Sequence, residues 1–138
     1  MELKKFCKRL EEVKKLKLPE NEFSIFGSGP LAVRGIRNSK DIDIIVKYKL
    51  WKELIKKYLV INKRGGFIKI GEIEIHKGWK PWFNNTNKLI NGSDIFNCIR
   101  FVKLEKVIEW KKKFNREKDK KDIELINKYL KNATKKNI

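Results

Sequence analysis

The residues with the clearest chemistry are Asp41-Ile42-Asp43-Ile44, an alternation of acid and isoleucine. On a strand, side chains i and i+2 leave from one face, about 6.5–7 Å apart. Asp41 and Asp43 would then stand side by side while Ile42 and Ile44 turn to the core. Two such carboxylates repel unless a cation sits between them. Mg²⁺ takes oxygen ligands and binds through a few carboxylates plus phosphates. Two ions about 3.5–4 Å apart hold the attacking and leaving oxygens of an in-line phosphoryl displacement. The expected cofactor is therefore Mg²⁺ or Mn²⁺, with two ions and with Asp41 and Asp43 as ligands.

Gly27-Ser28 precedes Asp41 by a spacer of twelve residues. A strand that ends in Gly-Ser-Gly and opens a helix aims backbone N–H groups at one point, which favours phosphate. Gly27 lets the backbone approach closely, and Ser28 adds a hydroxyl. Arg34 and Arg37 follow, and either would neutralise a triphosphate bidentately. Glu74 lies between Ile73 and Ile75, with the same relation to its apolar neighbours as Asp43 has. If its strand pairs beside 41–46, Glu74 joins the acids as general base or metal ligand. Glu72 is the fallback, placed in a turn. His76 shares a face with Glu74 and reads as a rim or core histidine rather than a catalyst.

These residues need elements to position them. Residues 2–17 form an amphipathic pattern, with Leu3, Phe6, Cys7, Leu10, Val13 and Leu16 on one stripe and Pro19 as the stop. Phe23 to Phe26 read as a buried strand, followed by a short helix over 30–35 with Pro30 near its start. Strand 41–46 comes next, then a helix over 49–59 with Leu50, Trp51, Leu54, Ile55, Tyr58 and Leu59 on one side. Residues 67–70 and 73–76 form a hairpin with Gly71-Glu72 as its turn. Residues 78–92 read as loop, with Trp79 and Trp82 either stacking on a base or closing a core edge or interface. A strand over 99–102 and helices over 103–114 and 117–131 follow, with Ile123, Ile126 and Leu130 inward. The expected architecture is one α/β (α+β) domain over 1–138, with an N-terminal helix 2–17, a core 23–102, C-terminal helices 103–131 and a polar tail 132–138.

Composition narrows the function classes. The chain has 138 residues, enough for one domain with a real core. At 41% hydrophobic and 11% aromatic it reads as folded rather than disordered. No apolar run approaches the ~18 residues of a membrane span, and no signal peptide is expected. Two cysteines in no paired motif argue against a disulfide scaffold or a cysteine zinc site, and for a reducing, cytoplasmic setting. A single histidine excludes sites needing two or three. The net charge of +18 attracts nucleic acid, nucleoside triphosphates or an acidic partner, or else is a solvated lysine-rich surface.

Gly27-Ser28, the spacer of twelve and Asp41-Ile42-Asp43 together resemble the signature of the DNA polymerase beta-like nucleotidyltransferase superfamily. Glu74 is similar to that superfamily's third carboxylate. Arg116-Glu117-Lys118-Asp119-Lys120-Lys121-Asp122-Ile123 is similar to a helix start in small members related to aminoglycoside and abortive-infection nucleotidyltransferases. The resemblance covers about residues 23–130. It implies a nucleotidyltransferase fold and transfer of a nucleoside monophosphate from an NTP such as ATP, with pyrophosphate leaving. It further implies that Lys118 reaches the triphosphate and that Asp119 or Asp122 braces its helix. Asp41, Asp43 and Glu74 would be catalytic, and Gly27, Ser28, Arg34, Arg37 and Lys118 would bind the nucleotide. So short a chain resembles the minimal members, which work as homodimers or in hetero-complexes.

RNA and a partner protein are the expected acceptors, with a small hydroxyl compound third. The basic charge argues mildly against a cationic aminoglycoside. Two other classes compete: a non-catalytic basic module that grips nucleic acid with the same fold, and one subunit of a toxin–antitoxin pair. Clustered carboxylates count against the pure binder, because they repel a polyanion.

Overall fold

The computed structural model describes residues 2–63, 66–77 and 85–136. Among them, helices flank a six-stranded mixed sheet, which is the α/β arrangement expected. The strands are β1 (Phe23–Phe26), β2 (Ile42–Val46), β3 (Phe67–Ile70), β4 (Ile73–His76), β5 (Asp94–Phe96) and β6 (Ile99–Phe101). Their order across the sheet is β3-β4-β2-β1-β6-β5. β1 pairs antiparallel with β2 and parallel with β6, while β2 pairs parallel with β4. The β2–β4 register sets Asp43 opposite Glu74, so partners across this ladder share a face.

The helices are α1 (Glu2–Lys15), α2 (Gly29–Ala32), α3 (Tyr48–Leu54), α4 (Thr86–Asn91), α5 (Leu104–Phe114) and α6 (Glu117–Lys136). Alternation along β1, β2 and β4 builds two apolar layers. In one, Ile25, Ile42, Ile44 and Ile75 meet Phe6, Leu10 and Val13 of α1 and Leu50, Trp51 and Leu54 of α3. In the other, Phe26 and Ile45 meet Leu31, Ile90, Val107, Trp110 and Ile126 from α2, α4, α5 and α6. The Phe26 and Trp110 rings lie 5.0 Å apart. Ile42, Ile44, Ile45 and Val46 are wholly buried, leaving Asp43 as the only half-open side chain of β2.

Several boundaries differ from the sequence reading. α1 ends at Lys15, and Lys17 adopts a left-handed φ of 53° ahead of Pro19. Cys7 is exposed, because Phe6, Leu10 and Val13 already complete the buried stripe. β2 begins at Ile42, one residue later than expected. α2 is a single turn rather than 30–35. α3 stops at Leu54, its last buried position, where i→i−3 bonds such as Lys56 N–H to Glu53 O tighten the chain. Leu59, expected on the inner stripe, is 92% exposed.

The segment expected as loop over 78–92 holds α4 at its end, capped by Asn85, whose Oδ1 accepts from Lys88 N–H at 2.9 Å. Its earlier part, with Trp79 and Trp82, lies outside the described residues. β5 and β6 form a second hairpin, with Asn97 and Cys98 both at positive φ (50° and 66°). That is type I′ turn geometry without its usual glycine. α6 runs to Lys136 through the expected polar tail, and Leu130, expected inward, is 38% exposed. Beyond Ile126, Tyr129 still packs half-buried against the same apolar layer, while Leu130 turns outward.

Candidate active site

The hairpin β3–β4 carries the third acid to the first two. Gly71, at φ 58°, takes the positive-φ position of the Gly71-Glu72 turn. It sends β4 back beside β2, and the parallel register brings Glu74 level with Asp43. Glu72 stays exposed in the turn.

Asp43, Glu74 and His76 each offer one ligand atom, all within 4.8 Å of one another. His76 Nε2 lies 3.4 Å from Glu74 Oε1, and its ring stacks on Phe67 at 5.5 Å between centroids. The imidazole is only 7% exposed, whereas Asp43 and Glu74 are half-buried. Asp41 sits on the bend just before β2, exposed, and outside this three-donor group. Its backbone carbonyl accepts from Ser39 Oγ at 2.7 Å.

The acids open onto a cavity of about 570 Å³ lined by Ser28, Arg37, Asn38, Ser39, Lys40, Asp41, Asp43 and Glu74. That volume is within the range of small-molecule sites. Its wall is bipolar: Asp41, Asp43 and Glu74 carry negative charge, while Arg37 and Lys40 carry positive charge.

Gly27 forms the floor beneath Asp43. Its φ is +69°, and a Cβ there would lie 2.7 Å from Asp43 Oδ2. Both the backbone and the close carboxylate demand glycine. Ser28 precedes α2 without a side-chain cap bond. Its hydroxyl pairs with Ser39 Oγ at 2.7 Å. Because Ser39 donates its one proton to the Asp41 carbonyl, Ser28 is the donor in that pair. The chain Ser28–Ser39–Asp41 thus ties the glycine turn to the entrance of β2.

Arg37 is held from behind. Its Nε and Nη2 donate to the two Asp122 oxygens at 2.7 and 3.0 Å. Asp122 also receives Lys111 Nζ at 2.9 Å, and Lys111, only 3% exposed, lies 3.5 Å from Asp119 Oδ1. Asp119 caps α6 by accepting from Arg116 N–H and from Arg116 Nε at 2.6 Å. Burial alone would raise both carboxyls. Hydrogen bonds from Arg116 to Asp119 and from Arg37 and Lys111 to Asp122, with the charges of Lys111 and those arginines, outweigh it. Both titrate below the ordinary carboxylate range.

Arg34 turns elsewhere. It donates to Asp94 Oδ2 and Pro30 O, both at 2.7 Å, and lies over the Phe96 ring at 4.8 Å. Lys118 is exposed on the first turn of α6 and does not line the cavity. The structure therefore brings together Ser28, Arg37, Asp41, Asp43 and Glu74, with Gly27 beneath, and leaves Arg34 and Lys118 apart.

Compared with protein-family models, curated proteins and solved structures, the chain finds no match in any of the three.

The donor set suits a divalent cation, because two hard carboxylates share one sheet face beside an open cavity. His76 adds a borderline nitrogen donor that the sequence reading assigned to rim or core. Its i+2 relation to Glu74 was the available signal. Asn38, Ser39 and Lys40 were also missed, and their signal was adjacency to Asp41. Among the described residues, no helix is long and apolar enough to cross a membrane.

Proposed function

We propose that this protein is a metal-dependent nucleotidyltransferase that moves a nucleoside monophosphate from an NTP to an acceptor hydroxyl. The observation that carries the reading is the bipolar cavity, with three carboxylates facing Arg37 and Lys40. A bare polyanion is repelled by the acids, and a bare cation by the bases. A metal–triphosphate complex matches both sides.

Asp43 and Glu74, in register on parallel strands, would hold the cation, with Asp41 also lining the cavity. A bound Mg²⁺ or Mn²⁺ would supply charge neutralisation for the triphosphate. Arg37, oriented by Asp122, would face phosphate oxygens, and the Gly27-Ser28 turn would give them a close backbone approach. Glu74 would accept the proton of the acceptor hydroxyl. The hydroxyl oxygen forms a new ester bond to the α-phosphorus, the bond to the β-phosphate oxygen breaks, and pyrophosphate carries away the electron pair. Positioning and electrostatics do most of this work. RNA and a partner protein remain the proposed acceptors, the +18 charge favouring an acidic macromolecule.

The test incubates the protein with each α-phosphate-labelled NTP, Mg²⁺ or Mn²⁺, and separate pools of RNA, protein and small molecules. Label entering one pool, and lost in Asp43→Asn, is the expected result. Neither transfer nor metal-dependent NTP binding would overturn the reading and leave a basic polyanion-binding module.

A further inference from the structure

His76 is the one side chain of the acid cluster that the proposed transfer leaves without a task. It stands on β4 two residues beyond Glu74, so it emerges on the same sheet face. Its register partner Ile45 and its hairpin partner Phe67 are both buried. Phe67 stacks on the ring with planes inclined by 28°. Packing therefore fixes the imidazole plane, and Nε2 is aimed at the carboxylates.

The spacing is informative. His76 Nε2 and Glu74 Oε1 are 3.4 Å apart, longer than an ordinary hydrogen bond of about 2.7–3.2 Å. Two donors each about 2.1 Å from one ion, at roughly 90–110°, lie about 3.0–3.4 Å apart. Asp43 completes the triad within 4.8 Å, and the soft terminal torsions of Asp and Glu allow closure onto one ion.

We infer that His76 is a direct metal ligand, so that the site is an Asp43–Glu74–His76 centre that prefers Mn²⁺ or another first-row transition ion over Mg²⁺. The inference deepens the proposed function and rests on its metal. The chemistry behind it is donor softness: an all-oxygen pair suits Mg²⁺, whereas imidazole favours transition ions. His76 then sets which cation the cavity retains.

The chain's single histidine makes the test unambiguous. Mn²⁺ is titrated into the full chain, and the bound ion is examined by pulsed electron paramagnetic resonance for coupling to imidazole nitrogen. A second sample adds ATP to uniformly ¹⁵N-labelled protein, so that any ¹⁵N coupling comes from the protein. Nitrogen coupling in the unaltered protein is the expected result. In His76→Gln it should vanish, and the ratio of Mn²⁺ to Mg²⁺ affinity should fall about tenfold. Mn²⁺ bound in an Asp43-dependent way without nitrogen coupling would overturn the role of His76 and leave the transferase reading standing. No bound Mn²⁺, with or without ATP, would overturn both. The spectrum of the unaltered protein decides the matter even if His76→Gln folds poorly.

Discussion

Gly27→Ala should separate a backbone effect from a site effect. Gly27 sits at φ +69°, and its missing Cβ would lie 2.7 Å from Asp43 Oδ2. Gly35 is the matched control: its φ is +73°, and nothing lies within 4 Å of its missing Cβ. Placing alanine in the left-handed region costs about 1–2 kcal/mol at either position. For a domain of this size that lowers Tm by roughly 3–8 °C. At Gly27 the carboxylate must also retreat, since the contact is about 0.7 Å short of ordinary van der Waals separation. Misplacing a reacting group by about 1 Å can cost on the order of 100-fold in rate. Mn²⁺ affinity should therefore fall about tenfold or more in Gly27→Ala and stay unchanged in Gly35→Ala. Calorimetric melting gives the first quantity, and titration with Mn²⁺ gives the second. If both variants melt alike and bind Mn²⁺ like the parent, Asp43 neither packs on Gly27 nor ligates the ion.

Three further expectations concern the support behind the site. Asp122→Asn removes a carboxylate from Arg37 and from buried Lys111 and should destabilise by about 2–4 kcal/mol, read as a lower urea midpoint; an unchanged midpoint would refute the network. Asp119 and Asp122 have folded pKa values below their unfolded ones, so the folded state binds fewer protons between those values. Their stabilisation is therefore complete above about pH 4 and is lost as pH falls through the folded values; a midpoint that stays constant down to pH 2 would contradict this. Ile44→Ala, in the wholly buried ladder beside Asp43, should cost about 2–5 kcal/mol by the same assay, and a loss under about 1 kcal/mol would mean that β2 is not central.

The sequence made the elements legible where packing and pattern agree. Alternation in 41–46 and 73–76 located β2, β4 and the faces of Asp43 and Glu74. The β2–β4 pairing itself was only a condition, because a helix and another strand separate the two in the chain. α4 and β5 were hidden by asparagines that suggest loop, although Asn85 serves as a cap and Asn97 as a turn residue. Arg34 was placed at the phosphate because its partner Asp94 is sixty residues away, in a stretch that overlapped no expected strand. Lys118 had a motif position, but its side chain is exposed, and α6 acts on the cavity only indirectly, through Asp122 one turn later, which holds Arg37. The contact between Gly27 and Asp43 is invisible without coordinates, since it depends on how β1 and β2 pair.

The most direct measurement compares ATP labelled at the α-phosphate with ATP labelled at the γ-phosphate, in the presence of Mn²⁺ and the acceptor pools. Nucleotidyl transfer requires the α label in the acceptor and the γ label in released pyrophosphate, with both events lost in Asp43→Asn and Glu74→Gln. A γ label on the acceptor, or turnover that survives those two substitutions, would contradict the assignment.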